Sequence, residues 1–164
     1  MKIQTTRFGE VEIQEGEILT LPNGMLGFTS DQHFAMLEDE IGSPFQWMQS
    51  LDNPELAFVT IDPDFAISDY RIEVSSEHLK KLDTESLEDV SVRAIVTMTR
   101  ELKDVTINLQ GPLLFNFDKK LGMQMVITNG CYNTRHLLFG DKLEVPVAQT
   151  EQKKPTRKKR VVAA

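Results

Sequence analysis

The chain has 164 residues, a formal net charge of −7, 40% hydrophobic residues and one cysteine, Cys131. That length suits one domain plus a short tail and can bury a core without disulfides or a structural metal, while a lone cysteine excludes an internal disulfide and fits a reducing cytoplasm. The start, Met1 to Arg7, lacks the apolar stretch of a signal peptide, and no apolar run approaches the ~20 residues that span a bilayer, so a cytoplasmic protein with no membrane contact is expected.

In chain order the dominant signal is alternation with period two, the mark of half-buried strands. Ile3 to Phe8 and Val11 to Ile13 flank Phe8-Gly9-Glu10, which reads as a tight turn with Gly9 free to take positive φ. Glu17 to Leu21 is a strand stopped by Pro22-Asn23-Gly24, and Phe34 to Leu37, Phe45 to Ser50 and Leu56 to Ile61 follow. The last is apolar on both faces and is expected at the centre of a sheet. Ser75 or Ser76 is placed to cap a short helix, Glu77 to Leu82, packing by Leu79 and Leu82. Val90 to Met98 then alternates over nine residues. Val105 to Gln110, Leu113 to Phe117 and Met123 to Ile127 continue the pattern, with Gly111-Pro112 interrupting where proline cannot donate to a ladder. These four strands predict an antiparallel meander. Many strands with one or two short helices make the chain mainly β, as a small antiparallel β-barrel, an architecture that also removes exposed sheet edges.

Past Gly140 the character changes. Residues 141–164 carry seven Lys/Arg against three Asp/Glu, which leaves 11 basic and 22 acidic residues in 1–140. A barrel domain over 1–140 and a basic, disordered tail over 141–164, with the run Arg157-Lys158-Lys159-Arg160, are therefore expected. The acidic body repels nucleic-acid phosphates and favours basic protein partners, although solubility alone also accounts for such a surface.

No catalytic constellation emerges. His33, His78 and His136 are dispersed, with no His-x₃-His pair for zinc. Cys131 and His136 lack a third group to orient them. Asp62-Pro63-Asp64 begins like a calcium loop, but Ile67 stands where the invariant glycine is needed. Phosphate-binding glycine loops and a nucleophile elbow are missing. A non-enzyme without cofactor or metal is expected, with two competing readings: a β-barrel hydrolase using a carboxylate pair, and a nucleic-acid-binding barrel using the basic tail.

Six stretches, in order, carry a resemblance: Phe8-Gly9, Leu21-Pro22-Asn23-Gly24-Met25-Leu26-Gly27-Phe28, Phe45-Gln46-Trp47-Met48-Gln49-Ser50, Asp69-Tyr70, Asn108-Leu109-Gln110-Gly111-Pro112 and the strand with Gln124. Together they resemble the FliW family over about residues 3–138. The resemblance implies a small barrel and a flagellar assembly factor that binds flagellin and the RNA-binding regulator CsrA in alternation. Bound to CsrA it relieves repression of flagellin translation, and free flagellin withdraws it. A monomer is expected when unbound. The basic tail falls outside the resemblance.

For the partner surface, the residues themselves point to Asp62, Asp64, Asp69, Tyr70 and Glu73, four acids and an aromatic on a segment expected to be exposed between a central strand and the helix. Trp47, the single tryptophan, is an interface anchor or a core residue, with the core favoured. Gln49 shares its strand face by alternation, which predicts partial exposure of that face.

Overall fold

The computed structural model describes residues 1–140 and the backbone of Val161–Ala163. The strands, in chain order, are β1 (Lys2–Thr5), β2 (Gly9–Glu12), β3 (Ile18–Thr20), β4 (His33–Glu38), β5 (Gln46–Ser50), β6 (Ala57–Ile61), β7 (Ile72–Val74), β8 (Ser91–Thr97), β9 (Thr106–Ile107), β10 (Leu113–Asn116), β11 (Leu121–Gln124), β12 (His136–Leu137) and β13 (Val161–Ala163). One α-helix, α1 (Ser76–Lys81), follows β7.

Seven of these strands close into a ring. The order is β3-β4-β5-β6-β8-β10-β11, and β11 returns to β3. Six of the seven contacts are antiparallel, as expected, and the closing contact is parallel, through Leu121 beside Thr20. The exception is forced by parity: strands that alternate in direction around a ring of odd number must meet one neighbour running the same way.

The alternation read in the sequence divides two apolar clusters. Leu19, Phe34, Met48, Leu113 and Phe115, with Phe58 and Ile95 packed against them, come from six different ring strands and meet in one cluster, which is therefore the barrel interior. The seventh strand gives Gly122, where an added Cβ would lie 2.7 Å from the Phe115 ring and 3.0 Å from Leu21. Glycine is needed there because the bulky residues opposite already fill the space. Burying each such Leu, Met or Phe contributes about 1.5–3 kcal/mol. The complementary face, with Val59, Ile61, Ala94, Val96 and Leu114, packs under Tyr70, Ile72, Val74, Leu82 and Ile107 from outside the ring. β6 is thus apolar on both faces because each face meets a cluster, as its sequence predicts.

The expected four-strand meander is corrected. β9 and β10 lie along the same edge of β8, with Thr97 opposite Thr106 and Val96 opposite Ile107, then Arg93 opposite Leu113 and Ser91 opposite Phe115. They are two halves of one partner strand, shifted in register by the insertion Asn108 to Pro112. The Asn108 carboxamide oxygen closes this insertion by accepting the amides of Gln110 (3.1 Å) and Gly111 (2.9 Å). The first hairpin turns at Thr6, Arg7 and Phe8, with Gly9 at φ +69° opposite Thr5.

The expected disorder of the tail falls on residues that lie outside those described, except for Val161–Ala163. These three form β13, which runs parallel to β7 with Val161 beside Ile72 and Ala163 beside Val74. An apolar Val-Val-Ala end offers a strand where the composition of the whole tail argues only for a polar chain.

Candidate protein-binding surface

The acidic segment is built from the end of β6 onward. Asp62 follows Ile61 and caps a one-turn 3₁₀ helix, Pro63–Phe65, its Oδ1 accepting the Asp64 amide at 2.9 Å. Proline suits the first position of that turn, because its missing N–H would find no partner there. Asp62 and Asp64 are half-buried and stand on the wall of a cleft of about 570 Å³ that also includes Glu88, Tyr70 and Ile72. Asp69 is exposed, and so is Glu73, which points outward between the buried Ile72 and Val74. Four carboxylates thus face solvent or the cleft along one run of chain, a geometry suited to a cationic partner.

Tyr70 corrects the expectation of an exposed loop. It is only 2% exposed. Its hydroxyl donates to the Leu109 carbonyl at 2.7 Å, and its ring lies 4.6 Å from that of Tyr132. Burial pushes its phenol above the ordinary range, with the nearby Tyr132 adding to the rise. The physical reason is the length of the segment: after the 3₁₀ turn the chain must dive back to place Ile72 and Val74 on the ring, and Tyr70 goes in with them. The Tyr132 hydroxyl in turn accepts the Arg71 amide at 2.9 Å.

Gln49 is corrected in the same way. It is fully buried, and its Nε2 donates to the carbonyls of Ser50 (2.9 Å) and Leu56 (3.1 Å). It staples the turn that joins β5 to β6, so its polarity reports backbone carbonyls to be satisfied, not a wet face. Trp47, on the same face, is half-buried and covered by the first hairpin. The Phe8 ring meets it edge-on at 5.3 Å, and the Arg7 guanidinium stands 4.6 Å from its centroid. It holds β1 and β2 against the barrel, in line with its favoured reading as a core residue.

Sequence reasoning missed a second feature, where the stretches of the resemblance meet. Gln124 joins two of them: its Oε1 accepts the Leu26 amide at 2.9 Å, and its Nε2 donates to the Gly111 carbonyl at 3.0 Å. The turn so held presents Leu26, 61% exposed, and Phe28, whose ring meets Phe58 edge-on at 5.4 Å. Gly24 makes the turn possible, since at φ +63° an added Cβ would come within 2.6 Å of the Phe28 carbonyl. The pattern Gly24-Met25-Leu26-Gly27 marks a turn, but it does not say that Leu26 is exposed while Met25 is buried.

Among the described residues no three His, Cys, Asp or Glu side chains gather to hold a metal ion, and no helix is long and apolar enough to cross a membrane.

Comparison with known proteins agrees with this geometry. The model of the family described as "FliW protein" matches residues 2–138. A protein of Geobacter sulfurreducens named "Flagellar assembly factor FliW" is 42% identical over 139 residues, covering 85% of this chain and 87% of that one. One of the same name from Natranaerobius thermophilus is 40% identical over 143 residues, covering 87% and 95%. A solved structure, "Crystal structure of the flagellar assembly factor FliW", superposes with a TM-score of 0.79 at 35% identity, covering 87% of this chain and 99% of that one.

Proposed function

The chain belongs to the FliW family of flagellar assembly factors, and from that membership we propose that it works by binding proteins: flagellin on one occasion and the translational regulator CsrA on another. In this reading it acts in the cytoplasm as a free monomer. Binding to CsrA relieves repression of flagellin synthesis, and accumulating flagellin withdraws the factor and restores it. The observation that carries the proposal is the family match, which spans the whole barrel from β1 to β12.

The charge of the body supports it. With 22 acidic and 11 basic residues in 1–140, the barrel attracts a basic regulator and repels RNA, so relief of repression is read as a coupling between protein sites on CsrA, with no competition for its RNA. We assign the cationic partner to the carboxylates Asp62, Asp64, Asp69 and Glu73, without Tyr70, Trp47 or Gln49. The test is titration calorimetry of the purified chain against CsrA and against flagellin from the same host. Binding to each, with flagellin displacing CsrA, supports the proposal. A folded chain that binds neither overturns it.

A further inference from the structure

β7 is a strand with an edge that the barrel does not use. Ile72 and Val74 anchor it in the outer cluster, yet its ladder partner among the described residues is β13 alone, and the two form a sheet of their own. The occupant comes from outside the family body. The family match ends at residue 138, and 87% of this chain already covers 99% of the chain in the solved structure. β7 lies within that match, and Val161–Ala163 lie beyond its end.

The surroundings state what kind of chain fits. β13 lies parallel to β7, so a peptide continuing in that register sends its amino-terminal side towards Arg71, Asp69 and the turn capped by Asp62. Arg71 is flanked there by Asp69 and Glu73, both exposed, and Glu88 and Asp89 are exposed on the 3₁₀ turn Leu87–Asp89 beside β13. An extended segment with β-branched residues on the ladder and cations before them meets the carboxylates of Asp69, Glu73, Glu88 and Asp89, against one like charge at Arg71. The tail's own sequence has it: Arg157-Lys158-Lys159-Arg160 directly precede Val161-Val162-Ala163.

We propose that the β7 edge is a strand-addition site for a protein partner presenting a basic run followed by β-branched residues, and that the chain's own carboxy-terminus occupies it in cis. The inference does not rest on which partners the family reading assigns. Three residues of ladder make a weak hold, so a partner peptide can displace the strand, yet tethering keeps it at a local concentration of about millimolar. A peptide arriving from solution binds more weakly by the factor that this competition sets.

The experiment uses the full chain and a fluorescein-labelled peptide with the sequence of residues 157–163, read by fluorescence anisotropy. Replacing Val161→Pro and Val162→Pro together removes two successive amides, one of which must face β7. The variant should bind the peptide about tenfold more tightly than the parent, for an intrinsic Kd near 100 μM against a millimolar tether. Hydrogen exchange should show Ile72 to Val74 losing protection in the variant and regaining it with peptide. A peptide with the valines placed before the basic run should bind several-fold more weakly. Equal affinity of parent and variant, or unchanged protection of β7 in the variant, overturns the proposal. A parent that dimerises by light scattering, with the dimer lost in the variant, also overturns it by assigning the edge to a second copy's tail. Should the double proline variant fail to fold, Val161→Asp with Val162→Asp, which sets two carboxylates among Asp69, Glu73, Glu88 and Asp89, is read by the same criteria.

Discussion

At the level of single residues, the polar side chains that looked most suited to a partner divide by what their backbones require. Tyr70 and Gln49 each satisfy main-chain carbonyls inside the protein, Leu109 for the first and Ser50 and Leu56 for the second. Tyr70→Phe keeps the ring and leaves the Leu109 carbonyl without that donor. It should lower stability by about 1–2 kcal/mol in urea denaturation while leaving affinity for flagellin and CsrA unchanged. A loss of affinity at unchanged stability would return Tyr70 to the surface. Gly122 is limited by volume: Gly122→Ala drives a methyl into Phe115 and Leu21 and should cost about 1–3 kcal/mol as overpacking. The accompanying change Phe115→Leu should recover part of that loss, which a double-mutant cycle would measure.

At the level of elements, α1 shows how far a local signal reaches. Its six residues follow Ser75, one of the two caps that the sequence offers. The Ser75 Oγ accepts the His78 amide at 3.2 Å, and the His78 Nδ1 accepts the Ser75 amide at 3.1 Å. That second bond needs an unprotonated Nδ1. Burial lowers the His78 pKa, Lys81 lowers it further and Glu77 opposes them. Because the folded value lies below the unfolded one, the unfolded chain takes up the proton first. The contribution of His78 is then complete above about pH 6.5 and is lost as the pH falls through its lowered folded value. His78→Gln, which can keep the same bond without titrating, should flatten the decline of Tm below pH 6.5. An unchanged slope would show that His78 has no part in it. The insertion Asn108 to Pro112 is the opposite case. Gly111-Pro112 marks an interruption, but that β9 and β10 share one edge of β8 follows only from the ring.

At the level of the whole molecule, charge and closure are the two properties that matter. An acidic barrel steers a cationic partner from beyond contact range, and steering weakens as salt shortens the Debye length. Asp64→Lys with Asp69→Lys should weaken CsrA binding at least tenfold at low salt in calorimetry, chiefly through a slower association rate, and the difference should shrink at 0.5 M salt. Unchanged affinity at low salt would remove the carboxylates Asp62 to Glu73 from the interface. Closure leaves the ring strands no free edge, and the exposed Leu26 and Phe28 project from a loop held by Gln124.

What the sequence determined by itself is what local chemistry controls. The strands came from the two-residue period, because side chains on an extended backbone alternate between faces. The cap of α1, as Ser75 or Ser76, and the turn at Gly24 came from residue types with few alternatives, whereas the first turn falls at Thr6 to Phe8, centred just before the Phe8-Gly9-Glu10 that the sequence marks. The order of the six stretches resembling FliW was legible for the same reason, since each marks a fixed turn or strand. Tertiary structure decided whatever depends on a partner far along the chain. A period of two says that a strand has two faces but not that both are covered, so the burial of Gln49 waited on the β5–β6 turn and that of Tyr70 on Leu109. The parallel contact of β11 with β3 waited on the number of strands in the ring, and the strand at Val161–Ala163 on an edge of β7 nearly ninety residues earlier, which no local pattern can encode.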